Sequence, residues 1–176
     1  MGFVEKTGDT VNRSFRLDKA LEAELELEAE KQGKNFSRLM ENIAEDYLNH
    51  YRYLEKRNAL TILPETMEAF LECLDEDELE RIGDFVGGNF PRRAYLMKGV
   101  PFDEETALDH LVKILSMYDK WYRVSYHDDN RPYLYIQNQL GSKWIAFIEA
   151  YIRAFYASLG IGVECQRVDD NLQVLL

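Results

Sequence analysis

The chain has 176 residues, 46% of them apolar and 30% charged, with a formal net charge of −11 at pH 7. Those proportions belong to a globular protein and exclude a disordered one. No apolar run approaches the length of a membrane-spanning helix, and the first ten residues, MGFVEKTGDT, lack the apolar stretch of a secretory signal. Two cysteines, Cys73 and Cys165, are too few for a disulfide framework and have no metal-ligand company, so reduced thiols, a cytoplasmic setting and no metal or cofactor are expected. The acid is unevenly spread: residues 1–57 hold 10 Lys+Arg against 12 Asp+Glu, and residues 58–176 hold 11 against 20. Such a surface repels phosphate, so nucleic-acid contact has to come from locally concentrated basic groups near the N-terminus.

Residues 1–10 show no periodicity and are expected to form a flexible arm. In residues 11–17 (VNRSFRL), Val11, Phe15 and Leu17 fall on odd positions, with Arg13 as the exception, and Asn12, Ser14 and Arg16 on even ones. That is the pattern of a short half-buried strand, and Asp18 stands where a helix N-cap is wanted. From Glu22 to Glu30 acidic and apolar residues alternate strictly, a strand-like period, but Ala, Leu, Glu and Lys are helix formers. Residues 19–32 are therefore expected to be helical, with Leu21, Leu25 and Ala29 on one stripe and Gly33 as the terminator. Asn35 or Ser37 can cap a second helix, in which Leu39, Met40, Ile43, Ala44, Tyr47, Leu48 and Tyr51 repeat at helical spacing to about Asn58. Neither helix can bury its apolar face alone in so short a module.

Beyond Pro64 two short helices are expected, at residues 65–74 and 76–85, broken at Gly87-Gly88 and followed by the irregular stretch NFPRRAYLMKGVP. A helix over 103–118 should turn Leu108, Leu111, Val112 and Leu115 inward. Residues 122–126 and 133–137 read as a hairpin around DDNRP, 142–159 as a strongly apolar helix, and 163–168 with 172–175 as a second hairpin around Asp170-Asn171. The order α-β-β-α-β-β predicts an α+β C-terminal domain, residues 64–176, with a small antiparallel sheet.

One short strand, two helices, a glycine between them and a capped second helix resemble the ribbon-helix-helix superfamily of DNA-binding proteins. The matching residues are SFRLD at 14–18, Gly33, NFSRLM at 35–40 and AEDYL at 44–48. The resemblance implies a homodimer, because a seven-residue strand at 11–17 has nothing to pair with in its own module. The paired ribbon would enter the major groove of double-stranded DNA, with Asn12, Ser14 and Arg16 facing the bases. Lys34, Asn35, Ser37 and Arg38 would meet backbone phosphate at the start of the second helix. Phe15, Leu17, Leu21, Leu25, Leu39, Ile43 and Leu48 would form the dimer core. Arg13 departs from the family pattern, which has an apolar residue there. The glutamate-rich first helix has to point away from the duplex.

The resemblance implies a sequence-specific transcriptional regulator, and a sensing or interaction domain is expected at residues 64–176. Two other readings stand beside it: an antitoxin, or a dimeric interaction protein that does not bind DNA. The C-terminal region carries no nucleophile motif, phosphate loop or metal-spaced cluster, so no enzyme activity is expected. His127-Asp128-Asp129 reads as a turn before it reads as a metal site. The aromatics Trp121, Tyr122, Tyr126, Tyr133, Tyr135, Trp144, Tyr151 and Tyr156 suit core packing, or else an effector pocket or a protein interface.

Overall fold

The computed structural model describes residues 8–56, 59–128 and 131–176. The chain forms two compact units, divided between Ala59 and Leu60. Arg57 and Asn58, Asp129 and Asn130, and the first seven positions of the expected arm lie outside the described residues.

In the N-terminal unit, residues 11–17 belong to no strand: among the described residues they have no ladder partner, and all but Leu17 are exposed. Helix α1 (Lys19–Lys31) starts where Asp18 accepts a hydrogen bond from the Ala20 N–H at 2.9 Å. The helical reading of the alternating acidic segment is correct; propensity outweighs period there. At its end Gly33 takes a φ of +63°, and the Lys34 N–H donates back to the Ala29 carbonyl at 2.9 Å, closing the helix in the left-handed manner glycine favours.

Helix α2 (Phe36–Asp46) runs into a π-helical segment (Tyr47–Tyr51) and then α3 (Arg52–Lys56). The wider turn shifts the buried face. Tyr47 and Tyr51, expected on the apolar stripe, are exposed, and Asn49 and His50 are buried in their place.

The C-terminal unit is mixed α+β. Helix α4 (Pro64–Glu72) precedes α5 (Glu76–Lys98), which opens with a capping box between Asp75 and Glu78 and closes at Gly99 with φ +67°. The expected break at Gly87-Gly88 and the irregular stretch after it are absent: α5 is continuous through Gly87, Gly88 and Pro91. The reason lies in the partner helix, α7 (Ser142–Ala157). A Cβ on Gly83 would collide with the Phe147 carbonyl oxygen, and one on Gly87 with that of Tyr151. Both glycines are buried and four residues apart on one face, where the missing side chains let two backbones approach. Tertiary packing thus outweighs the poor helix propensity of glycine and proline.

Helix α6 (Glu104–Asp109), capped by Asp103 and Thr106, continues as a π-helical segment (His110–Tyr118). Together they fill the expected helix, with Leu111 and Leu115 buried and Leu108 and Val112 half-buried.

The strands form one antiparallel sheet of order β1-β2-β4-β3: β1 (Arg123–His127), β2 (Tyr133–Gln137), β3 (Glu164–Val168) and β4 (Asn171–Leu175). Both expected hairpins are present, joined through the pairing of β2 with β4, which sets Leu134 opposite Val174 and Ile136 opposite Leu172. Those four side chains are fully buried and share one face by the two-residue strand period. Helix α7 packs against β3 and β4 and also against α5, which is why it buries residues on nearly every side, from Trp144 and Ile145 to Phe155 and Tyr156. Among the described residues no helix is long and apolar enough to cross a membrane.

Candidate nucleic-acid interface

The even positions of residues 11–17 are open to solvent. Asn12, Ser14 and Arg16 are all exposed, and among the described residues none forms a hydrogen bond or ion pair. The odd positions carry Val11 and Phe15 at 78% and 60% exposure, with Leu17 half-buried. Both apolar residues, Val11 and Phe15, are more than half exposed in the single chain.

At the start of α2, Asn35 is the cap: its side chain accepts from the Arg38 N–H at 2.9 Å. Ser37, the other capping candidate, is an exposed residue of the first turn. That turn contains no acidic residue, so its positive dipole end is not offset locally. Lys34 is half-buried and donates from Nζ to Gln32 Oε1 at 2.9 Å. The Arg38 guanidinium donates to Glu41 Oε2 at 2.6 Å across an exposed pair, a contact worth at most about 1 kcal/mol and open to exchange for a phosphate. Lys34, Asn35, Ser37 and Arg38 therefore stand together around one helix start.

Of the residues expected in a dimer core, Leu39 is buried, Leu17, Leu25 and Leu48 are half-buried, and Phe15, Leu21 and Ile43 are exposed. Ala29, not among them, is fully buried on the stripe it shares with Leu25.

In the C-terminal unit the aromatics divide. Tyr122, Trp144, Tyr151 and Tyr156 are core residues, and their polar ends are satisfied where they are buried: Tyr122 Oη donates to the Leu111 carbonyl at 3.1 Å and Trp144 Nε1 to that of Trp121 at 2.9 Å. The Tyr151 hydroxyl meets His110 Nε2 at 2.7 Å. Tyr133 and Tyr135 are half-buried and Tyr126 exposed. His127 stacks on Tyr133 with ring centroids 4.6 Å apart and meets Ser125 Oγ at 3.2 Å. Among the described residues no group of three His, Cys, Asp or Glu is placed to hold a metal ion.

A charge network that periodicity does not reveal ties three elements of this unit together. Arg167 on β3 bonds Glu149 of α7 at 2.6 Å and also Glu76 and Glu80 of α5, while Arg153 donates to the same Glu149 at 2.8 Å. Burial alone would raise the Glu149 carboxyl, but its hydrogen bonds and attraction to Arg167 and Arg153 outweigh that and hold it below the ordinary value. Beside the network, an open groove of about 710 Å3 is lined mainly by Asp75, Asp77, Glu78, Glu80, Asp84 and Glu149, with Arg81 and Arg153 on it. A groove of that sign disfavours anionic ligands.

No protein-family model, curated protein or solved structure matches this chain.

Proposed function

We propose that residues 11–58 form a ribbon-helix-helix module that dimerises and binds double-stranded DNA, making the chain a transcriptional regulator. The observation that carries this reading is a conjunction. An alternating segment with no partner strand among the described residues precedes two helices capped by Asp18 and Asn35, and the apolar residues Phe15, Leu21 and Ile43 are 60%, 51% and 43% exposed in the single chain. A second copy gives the segment its ladder and those side chains their burial. The polar residues Asn12, Ser14 and Arg16 then share the outer face of the ribbon. Arg is suited to guanine, Asn to adenine and Ser to either. Residues 64–176 act as the accompanying interaction domain, and a unit with its own buried core differs from the short unfolded tail that neutralises a toxin.

Binding of the full chain to mixed-sequence duplex DNA, followed by fluorescence anisotropy across a salt series, tests the reading. Lys34 and Arg38 from each of two protomers make four cationic contacts, so affinity should fall about a hundredfold between about 50 and 200 mM salt. No binding, or binding indifferent to salt, would overturn the DNA reading and leave a dimerisation clasp.

A further inference from the structure

Helix α5 carries two ladders. One, Gly83, Gly87, Pro91 and Tyr95, is buried in the unit. The other consists of Ile82, Phe85, Asn89, Arg92 and Leu96, which follow one another at alternating steps of three and four residues, the spacing of a helix-pairing seam. Its apolar members are left open: Ile82 is 41% exposed, Phe85 61% and Leu96 68%, with Met97 beside them at 61%. Phe85 and Phe90 meet edge to face with centroids 5.6 Å apart, forming an aromatic ridge near the middle of the helix.

The charges along α5 indicate what covers this ridge. The first half of the helix holds Glu76, Asp77, Glu78, Glu80 and Asp84 against Arg81. Since Arg167 engages Glu76 and Glu80, the acids left for another partner are Asp77, Glu78 and Asp84. After Asp84 the helix holds Arg92, Arg93 and Lys98 and no acid. Among the described residues Arg92 and Arg93 take part in no ion pair. A helix acidic at one end, basic at the other and apolar between is complementary to itself when turned end for end. A two-fold axis makes that pairing, since each copy then presents the same surface to the other.

We infer that two copies of this chain associate through an antiparallel pairing of α5 about a two-fold axis near residue 87, with Phe85 and Asn89 beside it, so that Arg92 and Arg93 of each helix lie across from Ile82 and Arg81 of the other, within about one turn of its Glu78 and Asp84. The occupant of the ridge is a second copy. A strip about 34 Å long and 10 Å wide is smaller than a standard interface, so on its own it gives a concentration-dependent association in the micromolar range. The pairing stands on residues 76–98 alone and does not depend on the ribbon.

The full chain, with Cys73 and Cys165 changed to serine, is spin-labelled at D77C or at M97C, and distances between labels are measured by pulsed electron resonance. Positions 77 and 97 lie ten residues either side of residue 87. Antiparallel pairing therefore predicts like-labelled copies about 30 Å apart along the helix, at 1.5 Å per residue, and a short distance when D77C and M97C copies are mixed. R92E/R93E, which changes only exposed residues, should weaken the association at least tenfold with helix content unchanged, and F85S should do the same. Short distances between like labels would mean parallel pairing and overturn the proposal. A dimer that ignores all these α5 changes and gives no short mixed distance would overturn it too, leaving a dimer held by residues 11–58. A chain that stays monomeric at high micromolar concentration would overturn both.

Discussion

Replacing Gly87 by alanine adds one methyl group where α5 meets α7, and the sign of its effect follows from what that methyl would touch. It would overlap the Tyr151 carbonyl oxygen and lie 2.8 Å from the carbonyl carbon and 2.9 Å from Cα. All three are backbone atoms of a buried helix, which cannot swing aside as a side-chain tip can. The helices must part, and overpacking of this kind costs about 1–3 kcal/mol, with a backbone obstacle at the upper end. Alanine returns about 1 kcal/mol of helix propensity, so the net loss is about 2 kcal/mol, or roughly 8 °C in Tm for a unit of this size. Gly88 is the control. A Cβ there meets only the Ala154 Cβ at 3.8 Å, an ordinary contact, so Gly88→Ala keeps the propensity gain and should stabilise by up to about 1 kcal/mol. Both tryptophans, Trp121 and Trp144, belong to the C-terminal unit, and their fluorescence during urea unfolding reports on that unit alone. If Gly87→Ala were as stable as the parent, or if neighbouring Gly88→Ala lost as much, close backbone approach would not explain why α5 runs unbroken.

Arg16→Ala should reduce affinity for a selected duplex by about 1–3 kcal/mol and relax preference at one base position, measured by competition binding; unchanged preference would remove Arg16 as a base reader. The Glu149 carboxyl, held below its ordinary value in the folded chain, binds protons more readily when unfolded. Its contribution is therefore complete above the unfolded pKa of about 4.3 and disappears as pH falls through the lower folded value. Urea midpoints of the parent should drop over that acid window, and Glu149→Gln should flatten this part of the curve. Burial pushes the Cys165 thiol up to about 11, while Cys73 is exposed. Ellman's reagent at neutral pH should thus find one fast thiol, absent in Cys73→Ser, and a second only on unfolding.

What sequence made legible was local. The two hairpins follow from period two and from turn residues, although the second turn falls at Asp169-Asp170, one residue before the expected Asp170-Asn171, because Asn171 pairs with Val168 as the first residue of β4. Strand β2 falls where alternation places it, at Tyr133–Gln137. The apolar α7 is equally plain. Helix α5 was not legible, because Gly87-Gly88 and Pro91 are breakers by propensity, and only the α7 backbone lying against them turns glycine into a requirement. The spacing of Gly83 and Gly87 held that information, but periodicity of apolar residues does not register absent side chains. The π-helical turn at Tyr47 shifted the buried face onto Asn49 and His50, and no composition rule marks such a turn. In the candidate interface, Asn35 as cap and the openness of Asn12, Ser14 and Arg16 follow from residue type, whereas the Arg38–Glu41 pair depends on side-chain geometry.

The strand order β1-β2-β4-β3 places β4 inside the sheet although it follows β3 in the chain. Until the second hairpin docks, β2 keeps one flank bare, and its sequence YLYIQ has no charge, proline or glycine to blunt it. During synthesis or after stress, that flank is the adhesive part of a half-assembled molecule. A chain shortened by residues 171–176 would hold it in that state permanently, with β3 deprived of its ladder, so inclusion bodies and chaperone capture are the fate such a fragment should meet.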